Sequence, residues 1–233
     1  MSSLILGLGI LLGLGMLGHQ LADAAIRFKE YERTVNVKGL SEREYPADVV
    51  IWPIQFAVAS NNLEELYGAI DQGADKIRQF LLAQGLGEDE ITVAIAAITD
   101  KSARDFDNGV RAEFRYTAQQ TVTVYSTQVD KVRGVMGSLS ELGKQGIALT
   151  GGNYQGQPQY LFTRLNDVKP DMIEEATRKA REVAEKFAED SQSRLGKIKR
   201  ASQGQFSISP RDTNNPHLMN VRVVSTVEYY LAD

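Results

Sequence analysis

Between Leu4 and Leu17 the chain reads LILGLGILLGLGML, fourteen residues without a charge or a proline. No other stretch so narrows what the chain can fold into. A run of that length is short for a helix that crosses a bilayer, which needs about 20 apolar residues. Extended through His19, Gln20 and LADAAI to Ile26 it becomes a 23-residue helix, about 34 Å long at roughly 1.5 Å per residue. Three readings compete: a cleaved signal peptide, an uncleaved anchor and a buried core helix. Ala22-Asp23-Ala24 fits an A-x-A cleavage site, but no Lys or Arg precedes the apolar run as a secretory leader requires. Five glycines, Gly7, Gly9, Gly13, Gly15 and Gly18, disfavour a buried helix in water, where each costs about 1 kcal/mol relative to alanine. The expectation is a transmembrane anchor over residues 1–26, followed by a charged juxtamembrane linker over residues 27–33.

In lipid the same glycines have a use. Gly9 and Gly13 form a GxxxG pair, and Gly7, Gly15 and Gly18 add small positions through which neighbouring helices approach closely. These five are the candidate helix-packing residues. Arg27, Lys29 and Arg33 follow the helix and nothing basic precedes it, which on the positive-inside rule alone favours a cytoplasmic body.

Composition removes several function classes. The chain has no cysteine and only two histidines, His19 and His217, so disulfides and thiolate chemistry are excluded and a His-rich metal site lacks material. A net charge of −4 gives no basic stripe for nucleic acid.

The remaining residues alternate between strand and helix patterns. Strands are expected at residues 34–39 and 49–59, the second interrupted by Pro53, which suggests a sheet edge or a bulge; residues 41–46 read as a polar turn. A helix over residues 62–84 places Leu63, Leu66, Ile70, Ala74, Ile77 and Leu81 on one face, with Asn62 and Glu65 as a capping pair and Gly85 as its stop. Strands at 91–98 and 112–125, a helix at 128–142, and strands at 147–154 and 159–165 follow. A long helix over residues 172–195 has an apolar seam of Ile173, Ala176, Ala180, Val183 and Phe187. Its outer face carries the pairs Glu174–Arg178, Glu175–Lys179 and Glu182–Lys186, and Gly196 is its stop. Strands at 197–206 and 221–231 close the chain. The fold class is α+β: a single domain over residues 34–233 with about eight strands and three helices in ββα units.

Two segments carry a resemblance. TVNVKGLSEREYPADVVIWPIQFAV, through Gly39, Glu42, Pro46, Ala47 and Asp48, resembles the opening of the SIMPL domain family. The Ala-rich helix with Ala176, Ala180 and Ala184, its Leu195-Gly196 turn and the closing strand VRVVSTVEYYL resemble the rest of that domain. The resemblance implies a bacterial envelope or periplasmic protein, homo-oligomeric and ring- or cage-like in some relatives, associated with oxidative-stress tolerance. It brings no catalytic residues.

Other polar groups offer weak chemistry. Asp105, Asp107 and Asn108 make an oxygen-rich loop, Gly151, Gly152 and Gly156 a turn with exposed amides, and His217 shares a loop with Arg211 and Asp212. Trp52 is expected in the core. No activated nucleophile, metal site or cofactor site is expected. The leading expectation is a non-enzymatic protein with a single pass in the bacterial inner membrane and its body in the periplasm. Its partners are further copies of itself and the lipid bilayer, with the strand around Pro53 and the terminal strand as joining edges. The alternative is a periplasmic binding module with a site at residues 151–157 and 210–217.

Overall fold

A computed structural model describes residues 2–30, 33–103, 113–151 and 156–232. Helix α1 spans Ser2–Glu30. Then come β1 (Thr34–Pro46), β2 (Val49–Ser60), α2 (Leu63–Ala83), β3 (Ile91–Val93), β4 (Ala97–Asp100), β5 (Tyr116–Ser126), α3 (Val129–Met136) and α4 (Ser140–Lys144). The chain ends with β6 (Ala148–Leu149), β7 (Gln159–Leu161), α5 (Leu165–Asp190), β8 (Arg194–Gln203), β9 (Ser207–Pro210) and β10 (Leu218–Ala232). The α+β class holds; the described residues form ten strands in two antiparallel sheets and four helices after α1, where eight strands and three helices are expected. The chain divides into two compact units. One comprises Met1–Arg43, Asn166–Ile208 and Asn220–Asp233, the other Glu44–Leu165 and Ser209–Met219.

The second of these units is built on β2. In its sheet β5 lies between β3 and β2, and β6 lies on the far side of β2; β4 adds to β5 and β7 to β2. Alternate residues of β2, Val50, Trp52, Ile54 and Phe56, are buried, as a strand with one covered face requires. They share a core with Leu66, Ile70, Ala74, Ile77 and Leu81 of α2 and with Val122 and Val124 of β5. Trp52 is therefore a core residue, as its sequence context suggests. Helix α2 starts as expected: the Asn62 side chain accepts from the N–H groups of Glu64 and Glu65. The reciprocal half of the cap runs through Ser60, whose hydroxyl accepts from the Asn62 N–H and donates to Glu65. Leu63, in the first turn, is exposed rather than inward.

Pro53 is not at an edge. It pairs with Thr123 in mid-sheet. The Thr150 N–H donates to Gln55 O, so odd-numbered residues here turn their backbone groups away from β5. On that side β7 covers residues 49–51 and β6 covers 56–57. Among the described residues Pro53 falls in the gap between them, where no strand residue calls on the hydrogen it lacks. The expected strand at 91–98 is two, because β3 and β4 reach β5 in registers one residue apart. The extra residue is a bulge, and Ile95 in it is 97% exposed. The expected helix at 128–142 breaks after Met136 into α3 and α4, with Gly137 as the C-cap of α3.

The other unit has β10 at the centre of its sheet, between β1 and β8, with β9 also on β10. Strand β1 continues through the segment expected to be a turn. Helix α5 begins seven residues earlier than its apolar pattern suggests and carries Pro170 in its second turn. It ends at Asp190 and not at Gly196, because Gln192 takes the left-handed conformation (φ 55°) that stops a helix. Gly196 lies inside β8.

Candidate functional site

Gly39 and the alanines of α5, which carry part of the family resemblance, come together in the first unit. Helix α5 turns Met172, Ala176, Ala180, Ala184 and Ala188 inward, each one turn from the last. The expected seam shared Ala176 and Ala180 with this face, but Val183 and Phe187 are exposed. The reason is distance. Ala180 and Ala184 pack with Val37, Val227 and Tyr229, and a Cβ on Gly39 would overlap the Ala176 carbonyl oxygen and the Ala180 nitrogen. A helix backbone lying this close to a strand has room only for alanine on one side and glycine on the other.

Beside this contact sits a polar cluster. Ser41 is fully buried, and its hydroxyl donates to Glu175 Oε2 at 2.9 Å. Arg43 Nε (2.9 Å) and Nη2 (2.8 Å) reach the same oxygen, and Lys179 Nζ lies 2.7 Å from Oε1. The Lys179 ammonium, then Ser41 and Arg43, hold the Glu175 carboxyl down to about 2. A carboxylate with four donors and so low a proton affinity is a poor base; it fastens α5 to β1. Of the three ion pairs expected along α5, Glu175–Lys179 forms; Arg178 pairs with Glu182 and Arg181 with Glu185 instead.

A second anchored carboxylate lies in the other unit. Asp48 accepts from the Thr163 N–H and hydroxyl, both at 2.8 Å, and Arg164 Nε lies 3.3 Å away. Burial works to raise its pKa, but these hydrogen bonds and the Arg164 charge outweigh burial and leave it lowered. Tyr45 stacks on Phe162 with centroids 5.2 Å apart, and the Ala47 N–H donates to His217 O at 2.8 Å. The Pro46-Ala47-Asp48 motif is thus a joint between the start of β2, the end of β7 and the approach to β10.

The remaining candidates divide. The ring of His217 meets Tyr160 edge-on at 6.1 Å, and burial, then the Arg133 charge, lowers its pKa. Asp212 spends its carboxylate within its own loop, accepting from Arg211 and from the N–H groups of Asn214 and Asn215. Asp105, Asp107 and Asn108 lie outside the described residues, as does Gly152. Among the described residues no group of three or more His, Asp or Glu is placed to hold a metal.

In α1, a Cβ added to Gly7, Gly9, Gly13, Gly15 or Gly18 would meet nothing within 4 Å. Leu11, Leu12, Leu14, Leu17 and Leu21 are 56–71% exposed. Among the described residues no helix is long and apolar enough to cross a membrane.

Sequence reasoning missed Ser41 and Arg43 as partners of Glu175. The signal available was the alternation of residues 35, 37, 39 and 41, which carries the inward face of β1 into the expected turn.

The SIMPL family model, described as a protein of unknown function (DUF541), matches residues 35–228. The match takes in Gly39, the Pro46-Ala47-Asp48 joint, the alanine face of α5 and most of β10. The chain belongs to the SIMPL family. No curated protein matches it.

Proposed function

We propose that this chain is a non-enzymatic envelope protein, anchored by α1 in the bacterial inner membrane with its body in the periplasm, that self-associates into ring- or cage-like homo-oligomers. A role in envelope or oxidative-stress tolerance is what family resemblance adds to this reading.

One observation carries it: Leu11, Leu12, Leu14, Leu17 and Leu21 of α1 are exposed and its five glycines face open space. Among the described residues nothing packs against those small positions. At 100° per residue, Gly9 and Gly13 fall on one side of the helix and Gly7 and Gly18 on the opposite side. A helix with two close-approach faces can meet a neighbour on each, which is what a closed ring requires and a simple pair does not.

Two experiments test the reading. Alkaline extraction of membranes carrying the full chain should leave it in the pellet; release into the supernatant removes the anchor. Sizing of the detergent-extracted chain should show oligomers that Gly9→Ile with Gly13→Ile shifts to smaller species; a monomer at all concentrations removes the assembly.

The binding-module alternative has less support. Of its two segments, residues 152–155 lie outside the described residues, and in the other Asp212 and Arg211 satisfy each other within the loop.

A further inference from the structure

Among the described residues, the sheet built on β10 ends at β1 on one side and at β8 on the other. The two edges are finished differently. The register of β8 against β10 slips between Glu228 and Tyr229 and again between Tyr229 and Leu231. Strand β8 also carries Arg194, Lys197, Lys199 and Arg200 with no acidic residue. Bulges and cationic side chains are the devices that stop an edge strand from pairing with another chain.

Strand β1 is less protected, with one cation in residues 34–40 against four on β8. The Leu231 N–H donates to Arg33 O at 2.9 Å, and the Ala47 N–H donates to His217 O at 2.8 Å. Arg33 to Ala47 and His217 to Leu231 are equal spans, so these two hydrogen bonds share one register. In an antiparallel ladder both backbone groups of a residue turn the same way. Odd-numbered residues of β1 therefore face β10, and Thr34, Asn36, Lys38 and Leu40 turn N–H and C=O to the open side. Asn36, Lys38 and Leu40 are exposed, and Lys38 is the single charge in residues 34–40.

We propose that residues 34–40 of β1 pair antiparallel with the same edge of a second copy, about a two-fold axis at Val37. The proposal rests on the self-association reading above and names its surface. The charges exclude a centre at Lys38. A two-fold at Val37 sets Asn36 opposite Lys38 of the second copy and Thr34 opposite Leu40. A two-fold at Lys38 would set two ammonium groups face to face, which is unfavourable for directly opposed residues. Pairing at Val37 satisfies the outward N–H and C=O of all four even-numbered residues. The same pairing at β8 would bring four cations of each copy together. Strand β1 also follows α1 after only residues 31–33, so copies gathered by their anchors hold this edge at high effective concentration.

The test uses the full chain in detergent. The chain has no cysteine of its own, so Asn36→Cys introduces one thiol. In the proposed register the two Asn36 positions are diagonal neighbours, roughly 7–8 Å apart, within reach of a short bismaleimide. A covalent dimer is expected from Asn36→Cys and none from Ser202→Cys on β8. Lys38→Pro removes an outward N–H that the β10 ladder does not use. It should weaken dimerisation at least about tenfold with the thermal unfolding midpoint unchanged. Should Lys38→Pro not fold, the cross-link alone decides. If the native chain assembles and Asn36→Cys yields no dimer, the β1 surface is wrong and self-association stands. If the native chain is monomeric and no cross-link forms, both fall.

Discussion

Gly39 lies directly beneath Ala176: a methyl group on the one would occupy the carbonyl oxygen of the other. This contact joins the two segments that carry the family resemblance, and it explains why a glycine ends the first strand motif and alanines recur every fourth residue in the long helix. Gly39→Ala should destabilise the fold by about 2–3 kcal/mol, the scale of an overpacked site that cannot relax through a side chain. Gly7→Ala, where a Cβ meets nothing within one copy of the chain, should cost the fold of that copy nothing and add about 1 kcal/mol of helix preference locally. Urea midpoints of the two variants against the native chain separate the cases.

The alanine face of α5 predicts a second contrast. Phe187 is 55% exposed and Ala184 is fully buried. Phe187→Ser should change stability by less than about 0.5 kcal/mol, as surface substitutions do. Ala184→Leu should cost about 1–3 kcal/mol. The apolar pattern read along the sequence implies the opposite order, so chemical denaturation of this pair tests which face of the helix is inward.

Glu175 should make stability depend on acid. Its carboxyl titrates near 2 in the folded chain against a usual 4.5. A depressed carboxyl contributes stability in full above the unfolded value, and the contribution is lost as pH falls from about 4.5 towards 2. Glu175→Gln should lower the urea midpoint at pH 7 and flatten its decline between pH 4.5 and 3. An unchanged slope would show that other carboxylates, such as Asp212 at about 2, carry the acid response.

Asp48→Ala should cost about 1–3 kcal/mol, because it leaves the Thr163 N–H and hydroxyl without their acceptor. The loss should be local. Hydrogen exchange at residues 159–165 should quicken while that of α2 stays as it was, and an effect spread evenly over the chain would argue against a joint.

Much of the fold is legible in the sequence where one strong signal acts alone. The Asn62 cap and the spacing of Leu66, Ile70, Ala74, Ile77 and Leu81 place α2 to within one residue at each end. Leu63 misleads because the first turn lies outside the covered surface. In α5 two signals compete, and side-chain size suggests Val183 and Phe187 where backbone proximity to Gly39 demands alanine. Pro53 points correctly to a missing partner but not to its form, a gap between two short strands within a sheet. The central place of β10 is invisible in its own residues, since sheet order depends on pairings far apart in the chain. It overturns the expectation that β2 and β10 are joining edges, for both lie inside their sheets. The Glu175 cluster was half legible: a four-residue spacing reveals Lys179, whereas Ser41 and Arg43 lie more than 130 residues away.

The order β1, β10, β8 also sets a timetable. During synthesis β1 emerges before every other described strand, yet its neighbour in the sheet, β10, follows all of them. The hydrophobic face of β1 must wait until β10 has left the ribosome, while β2 and β5, closer in sequence, can zip together long before. Premature truncation anywhere before Leu218 would therefore strand β1 without its mate, however well the intervening segment folds.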